Sequence, residues 1–211
     1  MKWLNQVLKR SLDIAVAVVL LLVTSPLLLV IFLLIRWTSP GPALFLQKRV
    51  GKDGRIFTIF KFRTMVQNAP DIRNPDNSTF NSDTDPRVTK IGRILRKTSC
   101  DELPQLVNIL RGDMSLVGPR PELPEGPSSY TASQFARLKV RPGMTGMAAV
   151  QGRNEVPVNV RRDIDAYYAE NWTFWLDLKM LAQTIPIVLQ GRGVNRKAKT
   201  AAGHPSKGGV R

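Results

Sequence analysis

The sequence predicts an α+β fold, mostly α, hung on an N-terminal helix that enters a membrane. Three observations carry this prediction. Residues 14–35 hold no charge, residues 43–62 form two apolar-alternating segments joined by a Gly-containing turn, and apolar residues recur at helical spacing through much of the remainder. The chain divides accordingly into a membrane-embedded segment over 1–38, a domain at the membrane face over 39–191, and a basic tail over 192–211.

The uncharged run of 22 residues can span a hydrocarbon core of about 30 Å at about 1.5 Å per residue. It is too long for a signal-peptide core, and no small-residue cleavage site follows it. Lys2, Lys9 and Arg10 precede it, and Arg36, Lys48 and Arg49 follow it. A spanning helix shows a basic bias on its cytoplasmic side, but here both flanks are basic. In the middle stand Thr24, Ser25 and Pro26. Proline removes an amide donor and kinks a helix, and a neighbouring hydroxyl can satisfy the freed carbonyl. These features favour a re-entrant helix, broken at Ser25 and Pro26, over a straight span, with both basic flanks cytoplasmic. Lys9 and Asp13 stand four apart and are expected to pair.

After Ser39-Pro40-Gly41-Pro42, residues 43–50 and 55–62 read as a small β-hairpin turning at Asp53-Gly54. Residues 65–85 are polar and read as a loop. Residues 89–97 read as a basic helix, and a second helix starts near Ser99 with Leu103, Leu106, Val107 and Leu110. GDMSLVGPRP and RPGMTG read as Gly- and Pro-punctuated loops flanking a short helix over 133–140. Residues 160–170 and 173–190 read as amphipathic helices. Trp172, Trp175 and Lys179 suit a helix lying in the membrane interface, and core packing is the alternative.

Composition narrows the chemistry. Among 211 residues, 31 Lys and Arg against 16 Asp and Glu give a net charge of +15, which favours an anionic partner. Six of those positive charges, and no acid, fall in the tail from 192 to 211, which reads as disordered; the rest of the chain keeps +9. Cys100 is the one cysteine and His204, in the tail, the one histidine. An internal disulfide, a cysteine zinc cluster and a histidine-based triad are therefore excluded, and catalysis rests on carboxylates, Lys, Arg or hydroxyls.

Asp101-Glu102 is the acidic pair of interest, with Arg93, Arg96 and Lys97 before it and Arg111 and Arg120 after it. Two readings stand side by side. Ser99 with Glu102 three residues on matches a helix capping box. A carboxylate held among cations can instead attack phosphorus, a divalent metal such as Mg²⁺ screening it from a diphosphate. Cys100 lacks a histidine base and ranks well below Asp101 as a nucleophile. Lys61, Arg63, Arg120 and Arg153 are further cations beside turns or strands.

KRSLD, Ser25-Pro26, SPGPALFLQKRVG, KFRTM, DPRVTKIGRILRKTS, DELPQLVNILRGDMSLVGPRP, RPGMTG and GRN follow one another in this order. In that series the chain resembles the bacterial sugar transferase family, the monotopic polyprenol-phosphate phosphoglycosyl transferases, in its small catalytic-core form. The likeness runs from about residue 9 to residue 191. It implies a transferase of a bacterial inner membrane, with the catalytic domain over 39–191 at the cytoplasmic face. Asp101 would attack the sugar-linked phosphate of a UDP-sugar, release UMP and carry the phospho-sugar covalently, in a ping-pong reaction. Polyprenol phosphate, usually undecaprenyl phosphate, would then accept it, as the first membrane step of a polysaccharide or glycoconjugate pathway. Mg²⁺ would be bound by Asp101, and Glu102 would support the pair. Arg96, Arg120 and Arg153 would hold phosphates, with Lys61 near the pocket and Pro119 and Pro121 shaping the nucleotide site.

The chain departs from the usual family pattern at Cys100, where a Leu-like residue is expected, and at Met147, Ala149 and Gln151, where TGMAAVQGRN replaces TGWAQVNGRN. Its polar 66–85 stretch is longer than in the smallest members and is expected to act as a lid. A non-enzymatic binder of anionic lipid is the competing reading. A nucleic-acid partner is not expected, because no reading motif or aromatic-basic stripe accompanies the charge. Interfacial helices can serve a membrane or a second copy, so a homo-oligomer is compatible with this pattern.

Overall fold

A computed structural model describes residues 2–72, 80, 82, 85–152 and 155–190. Helix α1 covers Lys2–Thr38, and the hairpin strands are β1 Leu44–Val50 and β2 Ile56–Phe62. Then come α2 Lys90–Thr98, α3 Gln105–Arg111, β3 Ser115–Val117, β4 Gly143–Thr145, α4 Met147–Val150, α5 Val158–Glu170 and α6 Phe174–Leu189. The expected mix of many helices and little strand is observed. The tail over 192–211 and half of the proposed lid over 66–85 lie outside the described residues.

Helix α1 does not end at Ser25 and Pro26, contrary to the break expected there; it runs through both. Proline at 26 removes the donor that would reach the Leu22 carbonyl, and Ser25 Oγ donates to that same oxygen at 2.8 Å. Thr24 Oγ1 donates to the Leu20 carbonyl at 2.6 Å. The helix is long and apolar enough to cross a membrane. Leu22, Val23, Leu29 and Val30 around the proline are exposed.

Both ends of α1 dock on the rest of the chain. Before Pro26, Arg10 donates to the Ile109 and Leu110 carbonyls at 2.7 and 3.1 Å. Asp13 is buried and accepts from Ser115 Oγ and Leu116 N, both at 3.0 Å. Lys9 pairs with the buried Asp177 of α6. The expected pairing of Lys9 with Asp13 is thus replaced by two tertiary contacts, because each side chain faces a buried partner across the interface. After Pro26, Ile31 and Ile35 pack on Ala43, Phe62 and Leu95.

The hairpin pairs in the expected register, Leu44 with Phe62 through Val50 with Ile56. It turns with Asp53 and Gly54 at φ 53° and 77°. Gln47 and Arg49 on β1 therefore share a face with Ile59 and Lys61 on β2. Asn108 of α3 locks the other edge of β2, accepting from Phe60 N at 3.0 Å and donating to the Thr58 carbonyl at 2.7 Å. The main core gathers Ile59, Leu106, Ile109, Met114, Val117, Tyr168 and Met180 with Ala17 of α1.

Two local expectations need correction. GDMSLVGPRP and RPGMTG are not only loops: β3 and β4 inside them pair in parallel, Ser115 opposite Gly143 and Val117 opposite Thr145. Strands of three residues are too short to show alternation. Ser99 does not form a capping box with Glu102. It ends α2 in the left-handed region at φ 57°, its side chain makes no cap bond to the following turn, and residues 100–102 form a 3₁₀ turn before α3 begins.

Candidate active site

The 3₁₀ turn Cys100–Glu102 holds the acidic pair between α2 and α3, against β2. What aims it is the close crossing of α2 over the end of the hairpin. Gly92 of α2 lies so near the backbone of Thr64 that a Cβ there would sit 2.0 Å from the Thr64 carbonyl oxygen. Thr89 caps α2, its Oγ1 accepting from Gly92 N at 2.9 Å. This crossing brings Arg96 to Thr64, with Nε donating to Oγ1 at 2.9 Å, and carries the turn to Lys61.

At the site, two cations meet on one oxygen. Glu102 Oε1 accepts from Lys61 Nζ at 2.8 Å and from Arg120 Nη2 at 3.0 Å. Burial alone would raise the Glu102 carboxyl, but Arg120 and Lys61 outweigh it and hold it well below the usual carboxylate range. Burial lowers the Lys61 ammonium, an effect that the Glu102 charge opposes. Asp101 differs. Burial first, and the Glu102 charge second, push it up to about 6, against the pull of Lys61, Arg96 and Arg120. The pair therefore splits into a carboxylate fixed by two cations and a neighbour beside it that stays adjustable.

The loop bearing Arg120 is held by the chain's own arginines. Three consecutive carbonyls are pinned: Arg120 O by Arg137 Nη2 at 2.8 Å, Pro121 O by Arg49 Nη1 at 3.2 Å, and Glu122 O by Val50 N at 2.9 Å. Arg137 is itself buried and clamped by Glu122 and Asp165, each at 2.8 Å, and by the Tyr130 hydroxyl. Arg162 adds a second cation to Glu122 at 2.9 Å. Side-chain bonds from Arg162, with the charges of Arg137 and Arg162, outweigh burial and hold the Glu122 carboxyl below its ordinary value. Asp165 is pushed up to about 6 because burial exceeds the pull of Arg137.

Of the residues singled out in the sequence, Asp101, Glu102, Lys61, Arg96 and Arg120 come together here. Pro121 lines a pocket with Lys61 and Arg120, and Pro119 lies on an adjoining one beside Arg120 and Glu122. Arg153 lies outside the described residues. Arg63 is not at the site: it is buried under the end of α1, donating to Ser39 Oγ and to the carbonyls of Ser39, Pro40 and Gly41. Sequence reasoning missed Arg49, Gln105 and Arg137. The hairpin alternation contained the signal for Arg49, which shares a face with Lys61. Arg137 and Gln105 sit in short helices with no pattern to mark them.

Among the described residues no three carboxylate, histidine or cysteine side chains cluster to hold a metal. The donor set instead fits an ion that takes one carboxylate and completes its shell from substrate phosphates and water, as Mg²⁺ does. Asp101 is the carboxylate of the pair that would be available to such an ion, since Glu102 Oε1 is already committed to two cations.

The family model described as bacterial sugar transferase matches residues 4–191. The undecaprenyl-phosphate galactose phosphotransferase of Salmonella typhimurium is 39% identical over 200 residues, 90% of this chain and 42% of that protein. An uncharacterized sugar transferase of Bacillus subtilis, EpsL, is 42% identical over 190 residues, covering 90% of this chain and 91% of its own length. The undecaprenyl-phosphate glucose phosphotransferase of Komagataeibacter xylinus is 44% identical over 191 residues, 84% of this chain and 35% of that protein. The chain thus spans less than half of two of these relatives and nearly all of the third. With the match covering almost the whole described region, including the Asp101-Glu102 turn and its cations, the chain belongs to the bacterial sugar transferase family.

Proposed function

We propose that this chain moves a phospho-sugar from a UDP-sugar to polyprenol phosphate, with release of UMP, through a covalent intermediate on Asp101. The observation that carries the reading is the division of labour in the acidic pair: Glu102 is fixed by Lys61 and Arg120, while Asp101 stands beside the same cations. A carboxylate oxygen of Asp101 attacks the sugar-linked phosphorus. The bond from that phosphorus to the bridging oxygen breaks, and UMP leaves with the electron pair. A phosphate oxygen of the acceptor then attacks the same phosphorus, and the Asp101 carboxylate leaves. Arg120 and Arg96 offset charge on the phosphoryl oxygens, and Lys61 holds Glu102 in place. Asp101 would hold a Mg²⁺ ion, which would supply charge screening between the carboxylate and the diphosphate. Glu102 keeps Lys61 and Arg120 oriented and supports the acceptor step, and Pro119 and Pro121 shape the nucleotide side.

The same reading places the reaction at the cytoplasmic face of a bacterial inner membrane, with α1 re-entrant and bent at Pro26. The support is that residues on both sides of Pro26 dock on one domain while those around it are exposed. A domain confined to one face cannot hold both ends of a helix that crosses. Trp175, Ile185 and Leu189 are exposed on α6, opposite its buried Asp177 and Met180, and suit the interface between headgroups and acyl chains. This reading keeps the division into a membrane segment to residue 38, a catalytic domain to 191 and a basic tail, with the reaction serving polysaccharide or glycoconjugate assembly.

The test is UMP release from a panel of UDP-sugars by the detergent-extracted chain with undecaprenyl phosphate and Mg²⁺. Release selective for one sugar and lost in Asp101→Asn is the expected result. A mutant as active as the wild type would return Asp101 to a structural role, and a chain that binds anionic vesicles without turnover would favour the lipid-binding reading.

A further inference from the structure

Beside the Glu102 oxygen that takes two cations lies a small pocket walled by Arg49, Ile59, Lys61, Gln105, Arg120 and Pro121. Asp101 is not part of its wall. Three of the six residues are cationic, and only Ile59 and Pro121 are apolar. Gln105, the first residue of α3, is 2% exposed. Its side-chain Nε2 is buried with no hydrogen-bond partner among the described residues.

A buried amide donor without a partner costs roughly 1–3 kcal/mol, so such groups are few and need a reason. The neighbours of Gln105 restrict what that reason is. Lys61 and Arg120 line the pocket while each donates to Glu102 Oε1 beside it, and Arg49 is anchored to Pro121 O and Gln47 Oε1 on the same wall. A ligand that accepts from an amide N–H amid three cations is an anion with several acceptor oxygens. A cation or an apolar group fails on both counts.

We propose that Gln105 is a further substrate-binding residue, its Nε2 donating to a phosphate oxygen held between Lys61 and Arg120. The proposal rests on the transferase reading and deepens it, adding a neutral donor to a site otherwise described by charge alone. Neutrality matters here. Arg and Lys draw any phosphate in, whereas one fixed amide selects the orientation in which an oxygen faces β2 and α3. That phosphate belongs either to the leaving UMP half of the donor or to the lipid acceptor. In a ping-pong sequence either is chemically apt, since the pocket adjoins the pair without containing Asp101.

The experiment compares the wild-type full chain with Gln105→Met, which keeps length and apolar contact but removes the amide. Steady-state kinetics read KM for the UDP-sugar and KM for a short-chain prenyl phosphate separately, and calorimetry reads binding of UMP. Thermal unfolding reads stability. Losing a hydrogen bond to a charged oxygen is expected to raise one KM about tenfold. The unfolding midpoint stays level or rises, because no protein partner is lost. A rise in the donor KM with weaker UMP binding assigns the phosphate to the donor, and a rise in the acceptor KM alone assigns it to the lipid. Unchanged values of both constants and of UMP affinity overturn the proposal, as does a fall in the unfolding midpoint with both KM values intact. Gln105→Glu, which keeps the shape and sets a carboxylate against the phosphate, is expected to weaken the same constant further, and equal behaviour of Glu and Gln would also overturn it. UMP affinity that depends on Gln105 in a chain with no turnover would count against the transferase reading and for the phosphate site.

Discussion

Glu102 gathers Lys61 and Arg120 on one carboxylate oxygen, and this sets what its neighbour can do. Removing Lys61 leaves Glu102 with Arg120, whose side chain is half exposed. Lys61→Met is therefore expected to lower turnover by roughly 10- to 100-fold, as loss of a buried charge-assisted bond does; a UMP-release assay checks it. Arg137 is a positioning residue on the same scale. Its side chain is 3% exposed and it holds Glu122, Asp165 and the Arg120 carbonyl. Arg137→Met leaves the buried Asp165 and the partly buried Glu122 without that partner, and a loss of about 3–5 kcal/mol in denaturant unfolding is expected. Glu122 gives the pH dependence. Its carboxyl is lowered from 4.5 by Arg162 and Arg137. Its contribution to stability is thus complete above the unfolded value and fades as pH falls through the lower folded value. Unfolding midpoints measured from pH 7 to pH 3 should drop below about pH 4.5, and Glu122→Gln should flatten that part of the drop.

At the scale of elements, the site depends on how closely α2 crosses the hairpin exit. Gly92→Ala puts a methyl 2.0 Å from the Thr64 carbonyl oxygen, which only backbone movement can relieve. A destabilisation of roughly 1–3 kcal/mol is expected, together with lost turnover, since Thr64 orients Arg96; parallel unfolding and UMP-release measurements check both. The elements also differ in how far the sequence revealed them. The hairpin showed its alternation and its Asp53-Gly54 turn, so the shared face of Lys61 and Arg49 was implicit in the register. Helices α5 and α6 showed the 3.6-residue period. Strands β3 and β4 have three residues each, and their parallel pairing joins segments some 28 positions apart, Ser115 with Gly143. Nothing local signals such a contact. Ser99 illustrates the opposite failure: a motif with the right letters and spacing, overridden by the left-handed turn that ends α2.

For the whole molecule, Asp101, Glu102, Lys61, Arg96 and Arg120 lie across 60 positions of sequence and converge because α2, α3 and the 120–122 loop pack on one hairpin. Their kinship was legible only through the ordered motifs; their geometry, with one acid tied and one adjustable, was not, since it depends on which oxygen each cation reaches. The anchor follows the same logic. Its two basic flanks suggested re-entry, and the docking of both flanks on one domain supports it. Trp3 and Trp37 are exposed at its two ends. In a Cys100→Ser background, Trp3→Cys and Trp37→Cys are expected to react with a membrane-impermeant thiol reagent from the cytoplasmic side in both cases. Labelling from opposite sides would mean that α1 crosses.

The proposed covalent step on Asp101 is tested most directly by mixing the purified chain with each of a panel of UDP-sugars and Mg²⁺ in the absence of any lipid acceptor. The account predicts a burst of about one UMP per chain, as for a covalent intermediate awaiting its second substrate, with the phospho-sugar mass retained on the protein and lost in Asp101→Asn. UMP formed only after polyprenol phosphate is added, with no mass retained on the chain, would contradict it.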